Sequence, residues 1–369
     1  MPGLDYLRGI AVAAVVFYHG FYWSTPANFH NYFARVFVKA TVFGWLGVNL
    51  FFVISGFLIT GILMDTKHQP EYFKSFYTRR VLRILPAYLL MNVVLYLFHF
   101  STWINVVVSL LYLANMNGVL PVSAGYGPFW SLSVEEQFYV FWPWIVRKLS
   151  TRGLALFAFA VCLLEPGLRL ISFYGKPPLG DIHEATWLIV DNLAIGALLA
   201  IFARSSSGTR RNAGKLSIAL AVAAAAMLGA LLPYGILHRT NPLGAALQVV
   251  PWNLFFAAML LWSLLCGDRI AAMRVLHPIR MLGDISYGLY LVHVFMFAQY
   301  DLTVQRFGLP GINGNFQLVI LRFFIAAGAS VGISWISRRS YEQWFLNMKR
   351  YFAPSARKPA AALSQARKY

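Results

Sequence analysis

The sequence predicts an all-α, polytopic integral membrane protein of about ten transmembrane helices, and three observations carry that prediction. Of the 369 residues, 59% are hydrophobic and only 12% charged, with a mean hydropathy of +0.61, where soluble domains carry about a quarter charged residues. Apolar segments of about 20 residues, the length that crosses a bilayer core, follow one another along the chain. Basic residues gather in alternate loops, as the positive-inside rule expects of a chain that crosses repeatedly.

The first segment, 4–24, holds Arg8 and His19 inside an otherwise apolar stretch. It has almost no charged leader and no small-residue cleavage site after it, so it reads as a retained span rather than a removed signal peptide. Spans follow at 41–64, 80–100, 131–149, 153–174, 185–203, 216–235, 247–266, 283–303 and 316–337. Residues 101–120 are shorter in apolar run and broken by Asn105, Asn115 and Asn117, and charge decides their place. With that segment an outer loop or re-entrant element and both termini cytoplasmic, all but seven of the 31 Lys and Arg (Arg35, Lys39, Arg169, Lys176, Arg239, Arg306, Arg322) fall on the inner side. A crossing at 101–120 would send the clusters at 204–215 and 338–368 outward. Residues 346–369, basic and without apolar periodicity, read as a disordered cytoplasmic tail behind a membrane domain at 1–345.

The net charge of +18 has the same origin as the topology. Basic residues concentrated on the cytoplasmic face meet anionic lipid and can attract an anionic cytosolic ligand. Nucleic-acid binding is not expected, because no soluble basic face with stacking aromatics is left over. Cys162 and Cys266 both fall in apolar runs and predict neither a disulfide framework nor a metal site.

Ionisable residues inside membrane spans are costly and ask for a reason. Arg8 and His19, eleven residues apart, project from nearly the same helical face about 16 Å apart along the axis. In the fourth span Ser131, Glu135 and Tyr139 form one stripe at four-residue spacing, with Ser133 and Glu136 turned away. The serines could equally be helix caps. Glu135 lies at a depth similar to His19, so a carboxylate–imidazole pair that raises the basicity of His19 is the expected general base. Arg80 and Arg83 share a helical face at the inner end of the third span and could fork onto phosphate oxygens, or serve as ordinary inner-face anchors. Ser286, Tyr290 and His293 make a polar stripe for which interhelical hydrogen bonding is the default. Asp191, Arg322 and the Glu165/Arg169 pair read as ion-pair glue.

The pieces LDYLRG with His19 (4–19), FFVISGF (51–57), Arg80-x-x-Arg83, SLSVEEQFY (131–139) and SYGLYLVH (286–293) occur in an order that resembles the membrane acyltransferase 3 family. These are bacterial O-acyltransferases of surface polysaccharides, O-antigen, nodulation factors and macrolides, and the likeness runs from Leu4 to about Trp344. The resemblance implies an O-acetyltransferase of the bacterial inner membrane. It would move an acyl group, usually acetyl, from cytoplasmic acyl-coenzyme A, a cosubstrate rather than a bound cofactor, to a carbohydrate hydroxyl outside. By the same resemblance His19, Arg8 and Glu135 are catalytic and Arg80 and Arg83 hold the coenzyme, with Ser131, Ser133, Tyr139, Ser286, Tyr290 and His293 in support. Some members append an extracytoplasmic SGNH-type domain; none follows the last span here, so action alone or with separate glycan-assembly proteins is expected. Arg8 is expected to contact the donor or act electrostatically, and an acyl-His19 intermediate is the less favoured variant. The alternative of another class is a transporter or flippase, although no paired half-repeats with broken helices stand in matching positions.

Overall fold

The computed structural model describes residues 1–23, 29, 31–116, 119–120, 125–175, 178–238, 240–312 and 314–352, and these are helical with connecting turns. The long helices are α1 (Pro2–Phe17), α3 (Leu46–Thr66), α4 (Tyr72–Leu97), α6 (Phe129–Lys148), α7 (Thr151–Tyr174), α8 (Asp191–Arg204), α9 (Arg210–Leu231), α11 (Val250–Ala272), α13 (Ser286–Arg306) and α14 (Phe316–Arg339). Shorter ones lie between them: α2 (Tyr32–Ala40), α5 (Trp103–Leu110), α10 (Pro242–Leu247) and α12 (His277–Asp284), with α15 (Tyr341–Phe352) at the end.

Every predicted span holds one long helix, but length and composition qualify fewer of them. Six helical segments are long and apolar enough to cross a bilayer, or seven if α12 and α13, bent by 76° at their junction, count as one broken span. The others fall short for physical reasons. The α-helical part of the first is 16 residues and α8 is 14, about 21–24 Å at 1.5 Å per residue, while α6 carries Glu135, Glu136, Arg147 and Lys148. Among the described residues of 101–120 the only helix is the eight-residue α5, too short to cross. At the far end α15 continues the helix through residues 346–352, the start of the stretch expected to be disordered; residues 353–369 lie outside the described residues.

Close packing rests on small residues, as expected where lipid is as apolar as the helix faces. α3 and α8 cross so tightly that a Cβ on Gly56 would collide with the carbonyl of Leu193, and one on Gly196 with that of Val53. α1 meets α3, α11, α12 and α13. It sits between two apolar clusters, giving Leu4, Leu7 and Ala11 to one and Val12, Val15 and Val16 to the other. This central helix carries Arg8 and runs directly into the turn that bears His19.

One cluster of buried charge is fully paired. Arg169, 2% exposed, donates to Glu165 at 3.2 Å and to Asp191 at 2.5 Å, and Glu165 also accepts the main-chain amides of Val190 and Asp191. The expected ion-pair glue is thus a triad joining α7 to the start of α8.

Candidate active site

A cavity of about 100 Å³ opens where α1, α3, α4, α6 and α13 converge. Its lining includes Arg8 from α1, Ser55 from α3, Arg80 and Arg83 from α4, Ser131, Glu135 and Tyr139 from α6, and Ser286, Tyr287 and Tyr290 from α13. The Ser131–Glu135–Tyr139 stripe follows from α6 being a regular helix that presents every fourth residue to one side. Three guanidiniums face this space against one carboxylate. Such an excess of positive charge in a partly desolvated cleft focuses its field on an anion.

The arginines are only lightly committed to the protein. Arg8 approaches Asp5 no closer than 3.9 Å. The Arg80 guanidinium lies between the rings of Phe76 and Tyr139, 5.7 and 5.6 Å from their centroids, and its buried Nε has no hydrogen-bond partner among the described residues. An unsatisfied buried N–H costs free energy that a ligand oxygen would recover. Tyr287 bonds the Ile84 carbonyl at 2.8 Å, tying α13 to α4 beside Arg83.

The expected pairing of His19 with Glu135 is replaced by a different one. Glu135 accepts from the Ser55 hydroxyl at 2.7 Å, and Ser55 is 2.9 Å from the Tyr139 hydroxyl. His19 instead meets His293, with Nδ1 of His19 3.1 Å from Nε2 of His293. Equal depth in the bilayer does not make two residues neighbours. A helix has several faces, and α13 presents the imidazole that reaches His19.

The hydrogen bonds fix both tautomers. Nδ1 of His293 lies 2.8 Å from the Tyr290 carbonyl and 3.1 Å from that of Leu289, and a carbonyl only accepts, so this nitrogen carries the proton. Its Nε2 is therefore the acceptor facing His19. Nδ1 of His19, 3.0 Å from the Val15 carbonyl, is likewise protonated. In the neutral ring Nε2 of His19 is left as the basic nitrogen.

Tyr290 joins cavity and histidine pair. Its hydroxyl lies 2.6 Å from Ser131 at the cavity wall, while its main-chain carbonyl holds His293. The stripe of Ser286, Tyr290 and His293 is thus divided, the first two lining the cavity and the third, fully buried, reaching His19. Ser133 takes no part in the cavity lining: it bonds the Phe129 carbonyl of its own helix at 3.0 Å. Neither serine caps α6, which begins at Phe129, and Ser131 donates to the Pro128 carbonyl at 3.2 Å. Two polar lining residues escaped the sequence reading of the site, Ser55 and Tyr287, although they lie inside the motifs 51–57 and 286–293. Among the described residues no group of His, Cys, Asp and Glu is arranged to hold a metal ion.

The shared family is legible in direct comparison. Residues 1–339 match the family described as an acyltransferase domain. The peptidoglycan O-acetyltransferase OatA of Listeria monocytogenes is 28% identical over 335 residues, 79% of this chain and 49% of that protein. YrhL of Bacillus subtilis, provisionally named a peptidoglycan O-acetyltransferase, is 28% identical over 366 residues, 84% of this chain and 50% of that one. The O-acetyltransferase OatA of Staphylococcus aureus is 24% identical over 325 residues, 79% and 50% of the two chains. The chain therefore spans about half the length of these relatives, and no solved structure matches it. With the match running through α1, α3, α4, α6 and α13, which together build the cavity, the chain belongs to the acyltransferase 3 family.

Proposed function

We propose that this protein is a bacterial membrane O-acetyltransferase that takes an acetyl group from cytoplasmic acetyl-coenzyme A and transfers it to a carbohydrate hydroxyl on the outer side. The observation that carries the reading is the convergence of Arg8, Arg80 and Arg83 on one cavity that is a single residue, Tyr290, from the His19–His293 pair. Coenzyme A is a multivalent anion, and forked guanidiniums are the side chains that hold phosphate oxygens bidentately. The names of the relatives favour a glycan acceptor, with peptidoglycan the first to try.

In this reading the chain crosses the inner membrane ten times with both termini in the cytoplasm, which puts Arg80 and Arg83 near the inner face. The pantetheine arm reaches up the cavity past Tyr139 and Tyr290. His19 Nε2 removes the proton of the acceptor hydroxyl as that oxygen attacks the thioester carbonyl. The carbon–sulfur bond breaks, the ester forms, and the proton passes from His19 to the departing thiolate. His293 orients the base, since its Nε2 accepts from His19 Nδ1–H and steadies the imidazolium as it forms. Glu135, held by Ser55, balances part of the arginine charge. Family membership gives no support to the transporter alternative.

Membranes supplied with acetyl-labelled coenzyme A test this. Label should enter the glycan fraction with the wild-type protein and fall by about 100-fold or more with His19→Ala; full labelling by a folded His19→Ala protein would refute the assignment.

A further inference from the structure

His19 does not lie in α-helix. Residues Tyr18–Trp23 form a π-helical turn, a conformation that occurs mostly in short pieces and frequently at functional sites. Its backbone is anchored from outside α1: the carbonyl of Gly20, the residue after His19, accepts from Nη1 of Arg322 at 3.1 Å. Arg322 is on α14 and 1% exposed. Its Nε and Nη2 grip both carboxylate oxygens of Asp301 at 2.6 and 2.7 Å, and its guanidinium lies 4.8 Å from the ring centroid of Phe297. A Cβ at Gly20 would collide with Phe323 and Phe297, so only glycine lets the main chain come this near.

Asp301 and Phe297 belong to α13, the helix that also supplies His293. The reactive turn is thus held at two adjacent points, the His19 ring by His293 and the Gly20 main chain by Arg322. Plain glue between α13 and α14 would not need this chemistry. A buried guanidinium is expensive, and apolar residues of similar volume commonly hold helices together as well or better. What they cannot provide is a donor aimed at the main chain of a third helix.

We infer that Arg322, held by Asp301, is a positioning residue that fixes the π-helical turn through Gly20 and so keeps His19 Nδ1 on His293 and Nε2 directed at the reacting hydroxyl. The inference rests on His19 being the base, as proposed above.

Membranes bearing Arg322→Lys, Arg322→Gln, Asp301→Asn or His19→Ala separate the possibilities by two measurements. The first is kcat and KM for acetyl-coenzyme A, read as label entering the membrane glycan and normalised to folded protein. The second is the rate at which diethyl pyrocarbonate modifies His19, read by mass spectrometry against His68 in the exposed turn after α3. Arg322→Gln and Asp301→Asn should lower kcat by about 10- to 100-fold, the cost of a misplacement near 1 Å, with KM within about twofold. His19 should react faster relative to His68 as its ring gains freedom, and Arg322→Lys should recover part of both effects. Unchanged kcat and unchanged His19 reactivity in the folded variants overturn the inference. If His19→Ala keeps full activity, the general-base reading fails, while a changed reactivity of His19 in the Arg322 variants would still establish the anchor.

Discussion

Replacing His293 with alanine takes away an acceptor that His19 Nδ1–H faces, while the Val15 carbonyl stays beside that nitrogen. His293→Ala should therefore lower kcat by about 10- to 100-fold, the usual cost of losing an orienting partner, with KM for acetyl-coenzyme A unchanged. Steady-state kinetics on purified membranes check this split. Arg80→Ala and Arg83→Ala should do the reverse. Each removes charge-assisted bonds to phosphate of about 1.5–3 kcal/mol, so KM should rise about 10- to 100-fold with kcat far less affected. The residues of the site were legible in the sequence because ionisable groups in apolar spans stand out: Arg8, Arg80, Arg83, Glu135 and Tyr139 all reach one cavity. Their pairing was not legible. His19 and His293 are 274 residues apart, and a depth argument selects a level in the bilayer without selecting which helix face opposes which. Glu135 satisfied the level and Ser55 took it; His293, set aside as a structural hydrogen bonder, took His19.

Among the elements, hydropathy located each long helix and the charge pattern kept 101–120 from being read as a span, in keeping with the eight-residue α5 found there. Local irregularity was hidden. The extrapolation of a 100° step from Arg8 to His19 assumes one continuous α-helix, whereas α1 ends at Phe17 and the turn bearing His19 is π-helical. Nothing in the apolar pattern of 4–24 marks that change, because its anchor, Arg322, lies on α14. The α3–α8 crossing offers a direct check on packing. Gly56 neighbours Ser55, the partner of Glu135, and sits against the α8 backbone. Gly56→Ala should destabilise by about 1–3 kcal/mol, the range for overpacking, and Gly56→Leu should prevent assembly. Thermal unfolding in detergent and yield of folded protein read both, and a Gly56→Leu protein as stable as wild type would contradict the crossing.

At the scale of the whole molecule, the proposed transfer needs the donor and the acceptor to arrive from opposite sides. The basic clusters predict which side is inner, so a cysteine placed at Ser206, in the exposed turn between α8 and α9, should react with an impermeant maleimide only when the cytoplasmic face is accessible. The expectation of ten spans with alternating loops rests on charge and hydropathy, which act along the chain, while length and composition qualify six or seven helical segments as long and apolar enough to cross. The shape of the cavity belongs to contacts among five helices far apart in sequence, which cannot be read along the chain. The most direct measurement is sidedness of transfer in sealed membrane vesicles given acetyl-labelled coenzyme A from outside. Inside-out vesicles, which should expose Arg80 and Arg83 if the inner side is the one the basic clusters predict, should label glycan, and right-side-out vesicles should not until they are made permeable. Equal labelling by intact vesicles of both orientations would contradict the claim that the arginine-lined cavity draws its donor from the cytoplasm.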